Sequence, residues 1–188
     1  NEILYGSTGL VPKVDDFVLP IGKARIARQG KDVTIVSFSM GKSVVSTLVG
    51  LALADGKIAS LKDPVAKYLP EVKGGAYESA SIEDVLNMSS GTSFQEAYAE
   101  ADSGIARFIG LFSANQGGLY DFARQIPSAR PPGQIFNYAS ADTEVLGMLV
   151  RRAVGEPLAD YLSRKVWAPM GAEADARWML DAPGAAGQ

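Results

Sequence analysis

The stretch Ser43-Val44-Val45-Ser46-Thr47-Leu48-Val49-Gly50-Leu51-Ala52-Leu53-Ala54 constrains the fold more than any other part of the chain. At 3.6 residues per turn it is apolar on nearly every side. A helix of that kind is predicted to be buried, with the rest of the fold built around it. Asp55-Gly56 ends it, since glycine suits a left-handed C-cap. Lys42 enters this helix at its start, where partial desolvation lowers the pKa of an amine and lets it act as a base near neutral pH.

What that lysine serves follows from what is missing. The chain has no histidine and no cysteine. A Ser-His-Asp triad, a Cys-His pair and a His-ligated metal are all excluded. Ser39-Met40-Gly41-Lys42 is the main remaining route to a nucleophile. Positions i and i+3 of a helix share a face, so the Lys42 amine is expected within hydrogen-bond reach of the Ser39 hydroxyl. The plain alternative is a helix-capping serine followed by a surface lysine. A third reading takes Gly41-Lys42-Ser43 after a strand as a phosphate-binding loop. That loop needs glycine five residues before the Gly-Lys pair, where Val36 stands, and Phe38 and Met40 put bulk where bare amides should face the anion.

A chain of 188 residues fits one domain with a real core. The net charge of −3 and the absence of any basic run argue against a nucleic-acid surface. No apolar run reaches membrane-span length and no signal peptide is visible, so no membrane partner and a cytoplasmic location are expected.

Residues 1–29 are punctuated by Pro12, Pro20 and several glycines and read as extended chain and turns. Val33 to Phe38 reads as a strand. After the buried helix, Asp63-Pro64-Val65 starts a short one. Ser81-Ile82-Glu83-Asp84 resembles a capping box, with Gly91 closing that helix. Pro127 to Gln134 is an irregular loop, and Ile135 to Tyr138 a short extended piece. Ser140 is placed to cap a helix running through Val154, with Gly155 beyond. Pro157 to Val166 gives one more, stopped before Pro169.

From Ser37 onward the chain resembles serine hydrolases of the penicillin-recognising type. It is most similar to class C β-lactamase-like esterases and amidases of the 6-aminohexanoate-dimer hydrolase group. The matching stretches are Ser37 to Ser43, Leu61 to Pro70, Ile82 to Gly91, Pro132 to Asp142 and Trp167 to Ala172, in that order. The resemblance implies Ser39 as the nucleophile that forms an acyl-enzyme, Lys42 as its proton acceptor, and Tyr138 as the tyrosine that shuttles a proton to the leaving group. Ser140 takes the third place of the Tyr-x-Asn/Ser motif. Phe94 to Tyr98 is similar to the segment carrying a substrate-contacting tyrosine, which makes Tyr98 a substrate-binding candidate alongside Ser140. No metal or cofactor is implied.

Residues 1 to roughly 39 resemble another family, the beta subunit of the pyruvate dehydrogenase decarboxylating component. The stretches are Asn1 to Gly6, Asp15 to Arg25 and Lys31 to Ser39. The chain reads as a join of two unrelated genes, 1–36 from one and 37–188 from the other. The hydrolase resemblance also implies a third motif, Lys-Thr-Gly or a relative, whose strand supplies an oxyanion-hole amide. No Lys-Ser/Thr-Gly follows Tyr138 here.

The expected fold is therefore α+β and helix-rich: a β-lactamase/transpeptidase-like helical lobe with most of the antiparallel sheet missing. The expected function is a serine hydrolase acting on a small ester or amide through an acyl-Ser39 intermediate, impaired by truncation. The alternative is a non-catalytic chimera of hydrolase and dehydrogenase pieces.

Overall fold

The computed structural model describes residues 38–114 and 116–175, with side chains from Gly41 onward. The strand expected over Val33 to Phe38 lies outside the described residues except for Phe38, which is helical. In chain order the helices are α1 (Phe38–Ala54), α2 (Val65–Tyr68), α3 (Ile82–Leu86), α4 (Gly104–Ala114), α5 (Leu119–Arg124), α6 (Ser140–Val154) and α7 (Leu158–Leu162). A 3-10 turn (Pro70–Val72) follows α2, and a π-helical turn (Ser163–Trp167) continues α7. Among the described residues there is no strand. Pro64 bridges Ser81 and Thr92 bridges Ser128 as isolated antiparallel pairs.

Helix α6 is the hub. It packs against α1, α2, α3, α5 and α7. Its first three turns are almost entirely enclosed, with Ala141, Asp142, Val145, Leu146, Met148, Leu149 and Val150 all buried. Gly147 lets α7 approach: a Cβ there would meet Leu158 Cδ1 at 3.2 Å. Arg151 and Arg152 sit in the last turn, where cations favour the helix dipole, and Gly155 closes it at φ 78°.

Helix α1 lies along α6 but is not buried all round. Val45, Leu48, Val49 and Ala52 are buried, whereas Ser43, Ser46, Thr47 and Gly50 are exposed. The small and hydroxyl residues recur at i, i+3, i+4 and i+7 and so form one stripe. Ser46 and Thr47 donate their hydroxyls to the Ser43 carbonyl at 2.9 Å each, which lets them sit in a helix without unpaired polar atoms. The sequence pattern weighed them as nearly apolar; backbone satisfaction makes them a solvent-facing stripe instead.

The capping box at α3 forms: Ser81 Oγ accepts from Asp84 N, and the Asp84 carboxylate accepts from Ser81 N at 2.9 Å. The helix stops at Leu86, earlier than the glycine signal predicts. Met88 turns the chain at φ 53°. Gly91 then serves a different purpose. A Cβ at Gly91 would lie 2.3 Å from the Arg130 carbonyl, so only glycine allows the 127–134 loop to close against it. Helices α4 and α5 carry no strong cap signal in the sequence. They are held by an aromatic cluster of Phe94, Phe108 and Phe122, with edge-to-face centroid distances of 6.3–6.5 Å.

Candidate active site

The site is assembled where the start of α1 meets the start of α6. Helix α1 is already helical from Phe38, so Ser39 and Lys42 lie within its first turns, three residues apart on the backbone. This disposes of the phosphate-loop reading, because Gly41-Lys42-Ser43 lies inside the helix and not in a loop that precedes it.

The half-buried Lys42 amine donates to Ser140 Oγ at 3.0 Å. It also lies over the Tyr138 ring, 4.7 Å from the centroid, close enough for a cation–π contact. The structure thus brings Lys42, Tyr138 and Ser140 together. Burial pulls the Lys42 pKa below its ordinary value, while the carboxylates of Glu96 and Asp142 push it back up. Burial, with Glu96 nearby, raises the Tyr138 phenol. Tyr138 remains 44% exposed, so its hydroxyl-bearing ring is accessible from solvent.

Local backbone contacts hold Tyr138 in place. Asn137 N donates to the carbonyl of the left-handed Met88 at 2.6 Å. Asn137 Nδ2 donates to Phe94 O at 3.0 Å. The extended piece before α6 is therefore pinned to the 88–94 segment on both its backbone and side chain.

Ser140 does not cap α6. Ala139 is the N-cap residue and Ser140 the first helical one. Its hydroxyl is directed to Lys42, and the capping role passes to Glu96, whose carboxylate accepts from Ser140 N. An anion at a helix N-terminus is favourable, so this substitution leaves the hydroxyl available to the amine. Tyr98 lies two residues after Glu96, in a turn and 65% exposed.

Sequence reasoning missed four contributors. Glu96 sits in a loop with no spacing signal. Asp142 reads as an ordinary acid in the first turn of a helix. In the structure it is fully buried and accepts hydrogen bonds from Tyr77 OH at 2.9 Å and Ser90 Oγ at 2.8 Å. Tyr77 and Ser90 come from segments on either side of α3, so no local pattern joins them to Asp142. Among the described residues no group of three acids could hold a metal ion. No helix among them is long and apolar enough to cross a membrane.

A lysine, a tyrosine and a hydroxyl thus meet at the junction of two packed helices, on a helix-rich fold of the β-lactamase/transpeptidase-like class. The chain belongs to the Beta-lactamase family, whose profile matches residues 32–183. It is 31% identical over 151 residues to a 6-aminohexanoate-dimer hydrolase from Paenarthrobacter ureafaciens, covering 78% of this chain and 38% of that protein. Its fold is shared with a D-stereospecific amidohydrolase from Streptomyces sp., at a TM-score of 0.57 and 24% identity, over 70% of this chain and 41% of that one. The chain thus spans well under half the length of these relatives. A different protein, the pyruvate dehydrogenase E1 component subunit beta of Rhizobium meliloti (strain 1021), is 73% identical over a short segment of 41 residues, 22% of this chain and 9% of that protein.

Proposed function

We propose that this chain is a serine hydrolase that cleaves ester or amide bonds through an acyl-Ser39 intermediate. The observation that carries the reading is the Lys42 amine: it is drawn out of water, bonded to Ser140 Oγ at 3.0 Å and covered by the Tyr138 ring. A lysine whose pKa is lowered by burial is suited to accept the Ser39 proton as the hydroxyl attacks a carbonyl carbon. The tetrahedral oxyanion then collapses, expelling the leaving group, which takes a proton relayed through Lys42 and Tyr138. Water then attacks the acyl carbon and gives a proton to the same base; the bond to Ser39 Oγ breaks, Ser39 takes that proton back, and the acid product leaves. Ser140 keeps the amine in line throughout. Tyr98, exposed two residues after Glu96, is assigned the substrate-contacting role. The 6-aminohexanoate-dimer hydrolase relative favours an amide as the substrate class.

Acylation of Ser39 tests the reading directly, because it needs only the nucleophile and its base. A fluorophosphonate should label Ser39, mapped by peptide mass, and labelling should vanish in Ser39→Ala. Equal labelling of both proteins removes Ser39 from the mechanism.

A second reading rests on its own observation. The 41-residue match at 73% identity is to a pyruvate dehydrogenase subunit, a different protein from the hydrolase relatives. It supports a division of the chain at residue 36 and a non-catalytic chimera. On that reading Ser39 stays unlabelled by the fluorophosphonate.

A further inference from the structure

On the first turn of α6, two residues after the Ser140 that holds the Lys42 amine, lies an acid that the proposed reaction does not use. Asp142 is 0% exposed. Two hydroxyls from separate segments, Tyr77 and Ser90, donate to the same oxygen, Oδ1, at 2.9 and 2.8 Å. The other oxygen, Oδ2, is equally buried and takes no hydrogen bond among the described residues. An acid in the first turn usually complements the helix dipole, but that role is filled from the surface and needs neither enclosure nor two dedicated donors. A buried carboxylate bonded on one oxygen and bare on the other is costly unless a cation faces it. The cation at hand is Lys42, which reaches Ser140, two residues before Asp142 on the same turn, and interacts with Asp142 electrostatically.

We propose that Asp142 is a positioning residue for Lys42: its carboxyl, aimed by Tyr77 and Ser90, sets how readily the Lys42 amine gives up its proton. The proposal rests on the reading of Lys42 as the base for Ser39. The groups around the amine divide the task. Glu96 is occupied at the N-terminus of α6 through Ser140 N, so part of its charge is answered there. The Tyr138 ring offers its face and carries no charge. Asp142 has only the two neutral hydroxyls as side-chain hydrogen-bond partners, and Lys42 is the cation that acts on it. Burial raises the Asp142 pKa to about 7, with the Ser90 and Tyr77 hydrogen bonds and Lys42 opposing. The Tyr77 phenol is itself held neutral, pushed up by burial and by Asp142. Above neutrality Asp142 is therefore an anion that retains the proton on Lys42; below it the acid is neutral and that hold is released. The two groups titrate as a pair.

The test reads Lys42 itself. The full chain is acetylated with trace acetic anhydride from pH 6 to 11, and the rate at Lys42 is mapped by peptide mass, with the exposed Lys57 as internal reference. In Asp142→Asn, which keeps shape and removes charge, the Lys42 midpoint should fall by about one unit or more, close to a tenfold gain in reactivity on the acid side. A folded Asp142→Asn protein with an unchanged Lys42 midpoint overturns the proposal. If that variant does not fold, Asp142→Leu combined with Tyr77→Phe and Ser90→Ala removes the charge together with both donors, and an unchanged midpoint there overturns it. Absence of fluorophosphonate labelling at Ser39 would instead sink the hydrolase reading and leave the Lys42 shift standing, so the two failures are distinguishable.

Discussion

The floor and the rim of the site are built differently. The floor is the packed junction of α1 and α6, where Leu48, Val49, Val145 and Leu149 are buried and Asp142 is enclosed with two hydrogen-bond partners. The rim is the extended piece before α6, where Ile135 is 53% exposed, Phe136 68% and Tyr138 44%. Lys42 links the two: it belongs to α1, and its amine lies against the Tyr138 ring, 4.7 Å from the centroid. The difference teaches where the chemistry is tuned. The floor fixes the electrostatics of the amine through burial and a hidden acid. The rim presents apolar and aromatic surface to whatever approaches from solvent.

Four substitutions would break or sharpen that contrast. The largest effect is expected at the junction itself. Lys42→Ala should slow fluorophosphonate labelling of Ser39 by about 10²–10⁴-fold, the usual contribution of a positioned base. Labelling within a factor of three of wild type would mean that the amine does not serve Ser39. Next comes the floor. Leu149→Ala should cost about 2–5 kcal/mol in urea unfolding, because Leu149 is fully buried between helices that cannot close over the gap.

The third effect depends on pH. Asp142 has a pKa of about 7 in the fold against an ordinary value of 3.8. A carboxyl whose folded pKa is raised binds its proton more tightly when folded. Its contribution is intact below the unfolded value, and stability is lost as pH rises from about 4 to about 7. The loss is at most roughly 4 kcal/mol, from the size of the shift. Denaturation at pH 5 and pH 8 should show wild type losing stability relative to Asp142→Asn; parallel behaviour of the two proteins would contradict it. The smallest effect is at the rim. Phe136→Ser should change stability by less than about 0.5 kcal/mol, since the ring is mostly in water already. A large loss there would show that the rim is part of the core after all.

Much of this architecture was legible in the sequence where the signal is local. The helix after Ser39, the capping box at Ser81, the run from Ser140 to Val154 with Gly155 behind it, and the helix ending before Pro169 all follow from periodicity and caps. The α4 and α5 helices were not legible, because an aromatic cluster of residues far apart in sequence holds them. Serine and threonine on α1 misled, since their hydroxyls are satisfied by the helix backbone and so tolerate exposure. At the site, Lys42, Tyr138 and Ser140 carried a motif. Glu96 and Asp142 did not, because their roles exist only when three separate segments converge: the loop at Glu96 reaching the start of α6, and Tyr77 and Ser90 closing on Asp142.

The central claim is that packing makes Lys42 a usable base for Ser39. The pH dependence of Ser39 labelling by a fluorophosphonate tests it directly, with Lys42→Ala as the comparison. The rate should rise with pH through a midpoint below the ordinary lysine value of 10.5, in the direction burial drives it, and that rise should disappear in Lys42→Ala. A rise centred at or above 10.5, or one that survives the loss of Lys42, would contradict the account.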